Sequence, residues 1–242
     1  MSAPAESGER VGVVGRTGSG KSSLAMALFR MHPLVSGRIL VDGVDISRLS
    51  LKTVRSSITI IPQTPLFYRC SVRDYLDPFG EYDDGRLWRE VKRVGLGGHV
   101  RSLSDELWDN GENWSLGERQ MLCFARALLR PSRVLVLDEA FSSVDQGREE
   151  SLLSLLDESA SGSHHRVGGG VGGGVGVGGC DGDGVAASTV FLITHRVDQI
   201  LGFDRILVMA NGSVVEQGSA TSLASDPSSL FYDFLETSLL TM

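Results

Sequence analysis

Cysteine is scarce in this sequence. Its 242 residues include only Cys70, Cys123 and Cys180, which lie far apart and form no C-x-x-C pair. An odd number of cysteines at this spacing excludes a disulfide framework and the common cysteine-rich zinc sites. The pattern is typical of a protein in a reducing compartment.

Long hydrophobic runs are missing as well. No apolar stretch approaches the roughly 18 residues that indicate a transmembrane helix. The first ten residues, MSAPAESGER, have neither the basic region nor the apolar region of a secretory signal. We therefore expect no transmembrane segment in this chain.

Positive charge is low. The formal net charge is −7, whereas nucleic-acid-binding proteins normally carry a basic excess, so we expect no nucleic acid among the main partners. The length and the apolar content, 41% of the residues, suffice for one large domain or two small ones.

Short apolar segments alternate with helical patterns along most of the chain. Strands are predicted at residues 11–14, 38–41, 58–61, 134–137, 189–194, 205–210 and 213–217, the last two joined by a hairpin at Asn211-Gly212. Helices are predicted at 22–31, 83–94, 115–129 and 146–159, with two short helices in 220–237. This alternation indicates an α/β domain with a mainly parallel core sheet.

Two parts of the chain depart from this alternation. Residues 72–130 contain broken helices and predict a helical insertion, and residues 160–188 are of low complexity and rich in glycine. Such a stretch cannot bury enough surface to offset its chain entropy, so we predict a flexible loop within a single domain spanning 1–242. The alternative for this stretch is a metal cluster, but the spacing matches no common site; its candidate ligands are His164, His165, Cys180, Asp181 and Asp183.

The segment GRTGSGKS at residues 15–22 fits the pattern G-x-x-x-x-G-K-[ST]. Glycines let backbone N–H groups approach phosphate oxygens closely, and the start of the following helix adds positive partial charge. Lys21 would reach the β- and γ-phosphates, and the Ser22 hydroxyl would ligate Mg²⁺. The alternative is a glycine-rich surface turn, but the strand before it and the helix after it favour a phosphate site. The predicted phosphate-binding residues are Gly15, Arg16, Thr17, Gly18, Ser19, Gly20, Lys21, Ser22 and Ser23.

Two adjacent carboxylates end the apolar strand at 134–137. Asp138 would hold Mg²⁺, directly or through water, and Glu139 could orient or deprotonate an attacking water. The alternative for this pair is an acidic helix cap. A cation or a proton transfer nearby explains two neighbouring acids at the end of a strand better than a cap does.

Five segments now resemble one family when they are taken in order. They are GRTGSGKS, NWSLGERQ at 113–120, VLVLDEA at 134–140, SSVD at 142–145 and ITHR at 193–196. Together they resemble the nucleotide-binding domain of ATP-binding cassette (ABC) transporters, over nearly the whole chain outside 160–188. LDPFGEYDD at 76–84 and residues 111–130 are similar to the second such domain of subfamily C, the multidrug-resistance-associated exporters.

The resemblance implies a fold. It is the P-loop NTPase fold of ABC ATPases, an α/β fold with a mainly parallel core sheet, a reduced antiparallel β subdomain and a helical subdomain at about 72–130. It also implies ATP and Mg²⁺ as ligands.

The resemblance also implies roles for single residues. Gln63 matches the Q-loop glutamine, which contacts Mg²⁺ or the attacking water, so the implied metal site comprises Ser22, Gln63 and Asp138. Glu139 matches the catalytic base, and His195 matches the histidine that contacts the γ-phosphate. The alternative for His195 taken alone is a structural histidine. Residues 142–145 match the D-loop, which lines the interface between two domains.

The segment NWSLGERQ, called the signature segment below, matches the part of the family that grips ATP held by an opposed domain. Within it Ser115, Gly117 and Glu118 fall on the binding positions. Ser115 can also cap the following helix, whose exposed N–H groups form a second anion site; taken alone, it could be a plain cap. The implied partners are a second nucleotide-binding domain, paired head to tail, and transmembrane domains. The implied location is the cytoplasmic face of a membrane, as part of a transporter.

Three departures from the family pattern support alternatives. Glu118 stands where glutamine is usual, Phe141 stands where threonine is usual, and only ten residues precede Val11. The family usually has two more strands and an adenine-stacking aromatic residue there, so we expect weak nucleotide binding by the chain. The main alternative is therefore a catalytically impaired interaction fragment. A soluble ABC protein of DNA repair or translation, or another P-loop class, would leave LDPF or the signature segment without a role.

Overall fold

The computed structural model describes residues 3–130, 132–160 and 187–239. The predicted flexible insertion at 160–188, with its candidate metal ligands, lies almost entirely outside these residues.

The strands formed in the described ranges are short. They are β1 (Arg10–Val14), β2 (Leu40–Val41), β3 (Val44–Asp45), β4 (Ile58–Ile61), β5 (Cys70–Ser71), β6 (Glu106–Leu107), β7 (Val134–Asp138), β8 (Thr189–Ile193), β9 (Arg205–Ala210) and β10 (Ser213–Gly218). The α-helices in the same ranges are α1 (Lys21–Leu28), α2 (Leu51–Ser57), α3 (Val72–Leu76), α4 (Asp84–Arg93), α5 (Leu116–Leu129), α6 (Gln146–Ala160), α7 (Ala220–Ala224) and α8 (Leu230–Leu239).

Six strands form the central sheet, in the spatial order β10–β9–β1–β8–β7–β4. Every neighbouring pair is parallel except β9 and β10, so the predicted α/β fold with a mainly parallel core sheet is confirmed. The predicted hairpin between β9 and β10 is confirmed too. Asn211 and Gly212 both have positive φ, 50° and 74°, which is the backbone of the tight turns that suit a twisted pair of strands.

The inner strands of the sheet are apolar along most of their length because both faces of the sheet are covered. Alternate side chains enter two separate hydrophobic clusters. Val134 and Val136 of β7 join one cluster, and Leu135 and Leu137 join the other. This arrangement explains why the strands appear in the sequence as continuous apolar runs without alternation.

Helices α3, α4 and α5 fall within the range predicted as helical, 72–130. The apolar side chains of α5, including Met121 and Phe124, are buried in the larger cluster together with Leu87 and Val91 of α4. The division of this range into a subdomain of its own stays a prediction. None of the described helices combines the length and the apolar character needed to cross a bilayer.

Some predicted boundaries differ from the structure. Helix α1 ends at Leu28 rather than at residue 31, since Arg30 adopts a left-handed conformation with φ 51°. The strand predicted at 38–41 is reduced to β2, which pairs with β3 in a two-stranded antiparallel sheet. Helix α2 was not predicted, although Ser50 caps it by accepting a hydrogen bond from the Thr53 amide.

Candidate functional site

The loop at residues 15–20 connects β1, in the middle of the sheet, to α1. Gly20 occupies the cap position of α1 in a left-handed conformation, with φ 103°. The first amides of α1 thus lie at the carboxyl end of a central parallel strand, which is a common place for anion binding in α/β folds.

Gly15 begins this loop in a space that admits no side chain. A Cβ atom at this position would lie 2.3 Å from the carbonyl oxygen of Met209 in β9. The loop can therefore pack against β9 only with glycine at position 15.

Lys21 lies inside the loop. Its side chain is buried, and Nζ donates to the carbonyl oxygens of Gly15, at 2.8 Å, and Arg16, at 3.2 Å. These contacts draw the backbone around the ammonium group. A phosphate bound by the same loop would lie close to the positive charge of Lys21.

The other predicted phosphate-binding residues occupy two kinds of position. Ser19 is buried and its hydroxyl has no hydrogen-bond partner among the described residues. The exposed members, which a ligand could reach from solvent, are Arg16, Thr17, Gly18, Ser22 and Ser23.

Asp138 ends β7 and lies close enough to the start of α1 for the Ser22 hydroxyl to influence its pKa. Burial raises the pKa of Asp138 above its usual value; the Ser22 hydroxyl opposes this rise, and the charge of Glu139 adds to it. A carboxylate beside a hydroxyl is an all-oxygen donor set of the kind that Mg²⁺ prefers, together with phosphate and water. Among the described residues, no three histidine, cysteine or acidic side chains form a group that could hold a metal ion. Phosphate and water would therefore have to complete a Mg²⁺ site here.

Glu139 joins three segments of the chain. Its amide donates to the carbonyl oxygen of Ile193 at 2.9 Å, and its Oε2 accepts from Gln63 Nε2 at 2.7 Å. His195 Nδ1 lies 3.7 Å from Glu139 Oε1. The structure thus brings Gln63, Glu139 and His195 together at the carboxyl ends of β4, β7 and β8.

A cavity of about 330 Å³ lies between the loop and His195, the one member of this cluster that lines it. It extends from the loop to His195 and is bounded by one side chain of α8; its lining residues are Val14, Gly15, Arg16, Thr17, His195, Val197 and Phe234.

The signature segment lies on a different element, the start of α5. Ser115 Oγ accepts from the Glu118 amide at 3.3 Å, and the Glu118 carboxylate accepts from the Ser115 amide at 2.9 Å, which completes a reciprocal cap. Within the described ranges, no hydrogen bond joins Ser115, Gly117 or Glu118 to the loop at 15–20.

Gly117 packs directly against the predicted D-loop. A Cβ atom at Gly117 would lie 2.5 Å from the carbonyl oxygen of Ser143. The close approach fixes the start of α5 against residues 142–145.

Sequence reasoning missed Gln120. Its side chain is fully buried, and Nε2 donates to the carbonyl oxygen of Gln63 at 3.1 Å and to Ser142 Oγ at 3.3 Å. The signal in the sequence was a single amide side chain, next to Met121, on the apolar side of a predicted helix. Gln120 links the signature helix to the segment that carries Gln63.

Comparisons with known proteins show which family this chain belongs to. The family model described as "ABC transporter" matches residues 1–142. The chain is 39% identical to ATP-binding cassette sub-family C member 10 of Mus musculus over 240 residues, and 39% identical to Multidrug resistance protein mrp-7 of Caenorhabditis elegans over 235 residues. Each match covers 96% of this chain but only 14% of the relative.

Among solved structures, a bacterial Atm1-family ABC exporter with ATP bound is similar to this chain. The TM-score is 0.79 at 26% sequence identity, over 96% of this chain and 37% of the exporter chain. The predicted ABC-ATPase fold is thereby confirmed. The chain belongs to the ABC transporter family, as an ATP-binding domain whose relatives include subfamily C and multidrug-resistance proteins.

Proposed function

We propose that this chain binds Mg·ATP and hydrolyses it at a head-to-tail interface with a second nucleotide-binding domain. The observation that carries the proposal is the meeting of Gln63, Glu139 and His195 beside the loop that encloses Lys21. A carboxylate that faces an amide and an imidazole, next to an anion-binding loop, suits the activation of water against a phosphate.

Each residue has a distinct role in this reaction. The amides of the loop and Lys21 bind the β- and γ-phosphates and stabilise the charge that develops on them. Glu139 accepts a proton from the attacking water while the water oxygen bonds to the γ-phosphorus. The bond from that phosphorus to the leaving oxygen breaks, which releases ADP and inorganic phosphate.

Gln63 and His195 position these groups. The amide of Gln63 donates to Glu139 and directs the carboxylate, and His195 would donate to the γ-phosphate. Ser22, Asp138 and Gln63 would hold Mg²⁺, which neutralises phosphate charge when it is bound.

The partners follow from the signature segment. No hydrogen bond among the described residues joins the start of α5 to the chain's own loop, and a second domain would supply the nucleotide that these amides contact. We propose that such pairs drive export through transmembrane domains, at the cytoplasmic face of a membrane. The assignment to the second domain of a subfamily C exporter stays a prediction.

The departures in sequence leave the polar groups of the site intact. Phe141 is buried in the core and stacks on Phe124, with ring centroids 5.6 Å apart. The Glu118 carboxylate is engaged in the cap of α5. Among the described residues, no hydrogen bond or ion pair joins either side chain to Glu139 or Lys21, so no observation favours a catalytically impaired fragment.

Phosphate release from Mg·ATP tests the proposal. Glu139→Gln removes the proton acceptor and should lower the rate by about 10²–10⁴-fold. Glu150→Gln is the matched control, because Glu150 is an exposed carboxylate of α6 that takes no part in the site. Equal rates for Glu139→Gln and the parent chain would remove Glu139 as the base, and a lack of phosphate release by the parent chain would contradict hydrolysis.

A further inference from the structure

Both oxygens of the Glu118 carboxylate are held. Oε2 accepts from the Ser115 amide at 2.9 Å and from the Ser115 hydroxyl at 2.7 Å. Oε1 lies 2.8 Å from Nδ1 of His99. The carboxylate is therefore fixed from two sides.

His99 comes from the segment between α4 and β6 and is itself anchored. Its ring packs edge-on against Trp114, with centroids 4.4 Å apart and an interplanar angle of 66°. Trp114 is buried, and it directly precedes Ser115. Packing thus fixes the direction in which the imidazole presents Nδ1.

Glu118 carries a charge at neutral pH. Burial favours its neutral form, but the hydrogen bonds from Ser115 and the charges of His99 and Arg148 outweigh burial and lower the pKa of Glu118 below its usual value. An ionised carboxylate therefore stands at the helix start to which we assign a partner's γ-phosphate. The negative charges of the carboxylate and of the phosphate repel each other unless the carboxylate is turned away and its charge is compensated.

We propose that His99 is a positioning residue of the signature half-site, which is the half of the shared ATP site that the signature segment forms. His99 holds the Glu118 carboxylate against the cap of α5, so that the backbone amides at the start of α5, and not the carboxylate, face the nucleotide of the partner. The inference rests on the proposed head-to-tail sandwich. It explains how glutamate can occupy a position next to a phosphate.

Nucleotide-driven self-association tests the role of His99. The 242-residue chain is mixed with Mg²⁺ and a non-hydrolysable ATP analogue at saturating concentration, and the dimer dissociation constant is measured by analytical ultracentrifugation. The proteins are the parent, His99→Phe, Glu118→Gln and the double variant. Phenylalanine keeps a ring against Trp114 but has no N–H to donate to Glu118.

We expect His99→Phe to raise the dimer dissociation constant about tenfold, which corresponds to loss of one hydrogen bond to a charged group. Glu118→Gln should bind at least as tightly as the parent, because the carboxylate charge is gone. The double variant should behave like Glu118→Gln, since His99 then has no charge to hold. A residue that only supports packing would weaken the dimer equally in both backgrounds.

The possible failures can be told apart. Dimers that respond to His99→Phe by the same factor with and without Glu118→Gln, or that do not respond at all, overturn the role of His99 and leave the sandwich intact. The absence of a nucleotide-dependent dimer in every protein overturns a sandwich between two copies of this chain, and this inference with it. Thermal unfolding of each protein identifies a variant that fails to fold. In that case the comparison of Glu118→Gln with the parent tests the repulsion between the carboxylate and the phosphate by itself. A weaker dimer for Glu118→Gln contradicts the inference.

Discussion

At the scale of single residues, Glu139 has an unusual backbone. Its φ is 50°, in the left-handed region that costs a residue other than glycine about 1–3 kcal/mol. The hydrogen bond from its amide to Ile193 holds this conformation and aims the side chain at Gln63 and His195. The backbone position is therefore part of the site, and the sequence LDEA alone does not reveal it.

Gln120 provides a test of how the two half-sites communicate. Gln120→Leu removes the donor to the Gln63 carbonyl and to Ser142 while it keeps a similar volume. We expect the free energy of unfolding to fall by about 1 kcal/mol, because the hydrogen bonds of the buried amide to Gln63 and Ser142 are lost, although both acceptors can bond to water instead. We also expect slower phosphate release, because Gln63 loses its support.

Urea unfolding and phosphate release measure these two effects. Gln217→Leu is the control, since Gln217 is an exposed glutamine of β10. Values for Gln120→Leu that match this control would show that Gln120 neither stabilises the chain nor positions Gln63.

At the scale of elements, the sequence predicted those parts of the structure whose signals are local. Three short patterns were enough to predict three local structures. The apolar run at 134–137 predicts β7, the Asn211-Gly212 turn predicts the hairpin, and the pattern Ser115-x-x-Glu118 predicts the cap of α5. The loop between β1 and α1 belongs to this class too, whereas its binding of phosphate stays a prediction.

What the sequence did not predict depends on contacts between distant segments. The resemblance implies that Gln63 and Glu139 act on one attacking water, but the hydrogen bond between them spans 76 residues and forms because β4 and β7 are neighbours in the sheet. The pairing of His99 with Glu118 and the donation of Gln120 to Gln63 arise in the same way. Local patterns carry no signal for such meetings, so the element types were predictable and the hydrogen bonds of the site were not.

One contact between elements makes stability depend on pH. Asp204, just before β9, accepts from the amide and the guanidinium of Arg10 in β1. The hydrogen bonds and charge of Arg10 lower the pKa of Asp204 even though burial opposes this. The stabilisation is therefore complete above the unfolded value, roughly pH 4, and is lost as the pH falls through the folded value.

Asp204→Asn measures this contribution. We expect the variant to be less stable than the parent by about 0.5–1 kcal/mol near pH 7, as is usual for a largely exposed pair. The difference should stay constant down to about pH 5 and shrink below about pH 4. A difference that grows as the pH falls would contradict the assigned direction.

At the scale of the whole molecule, the chain has two helix starts to which we assign anion binding, and no hydrogen bond joins them directly among the described residues. The start of α1 follows the centre of the sheet, whereas the start of α5 packs on the D-loop through Gly117. Gln120 and Gln63 connect the two regions inside the chain. Such a molecule can complete a nucleotide site only with a partner, which is the architecture that we propose for the working transporter.

The central claim is that the loop around Lys21 binds the phosphates of ATP, and titration of the chain with fluorescent Mg·ATP tests it most directly. Lys21→Ala should weaken binding by tenfold or more, about 1.4 kcal/mol, because the charge inside the loop is lost. Lys52→Ala, an exposed lysine of α2, should bind like the parent. Equal affinities for Lys21→Ala and the parent chain would contradict the account.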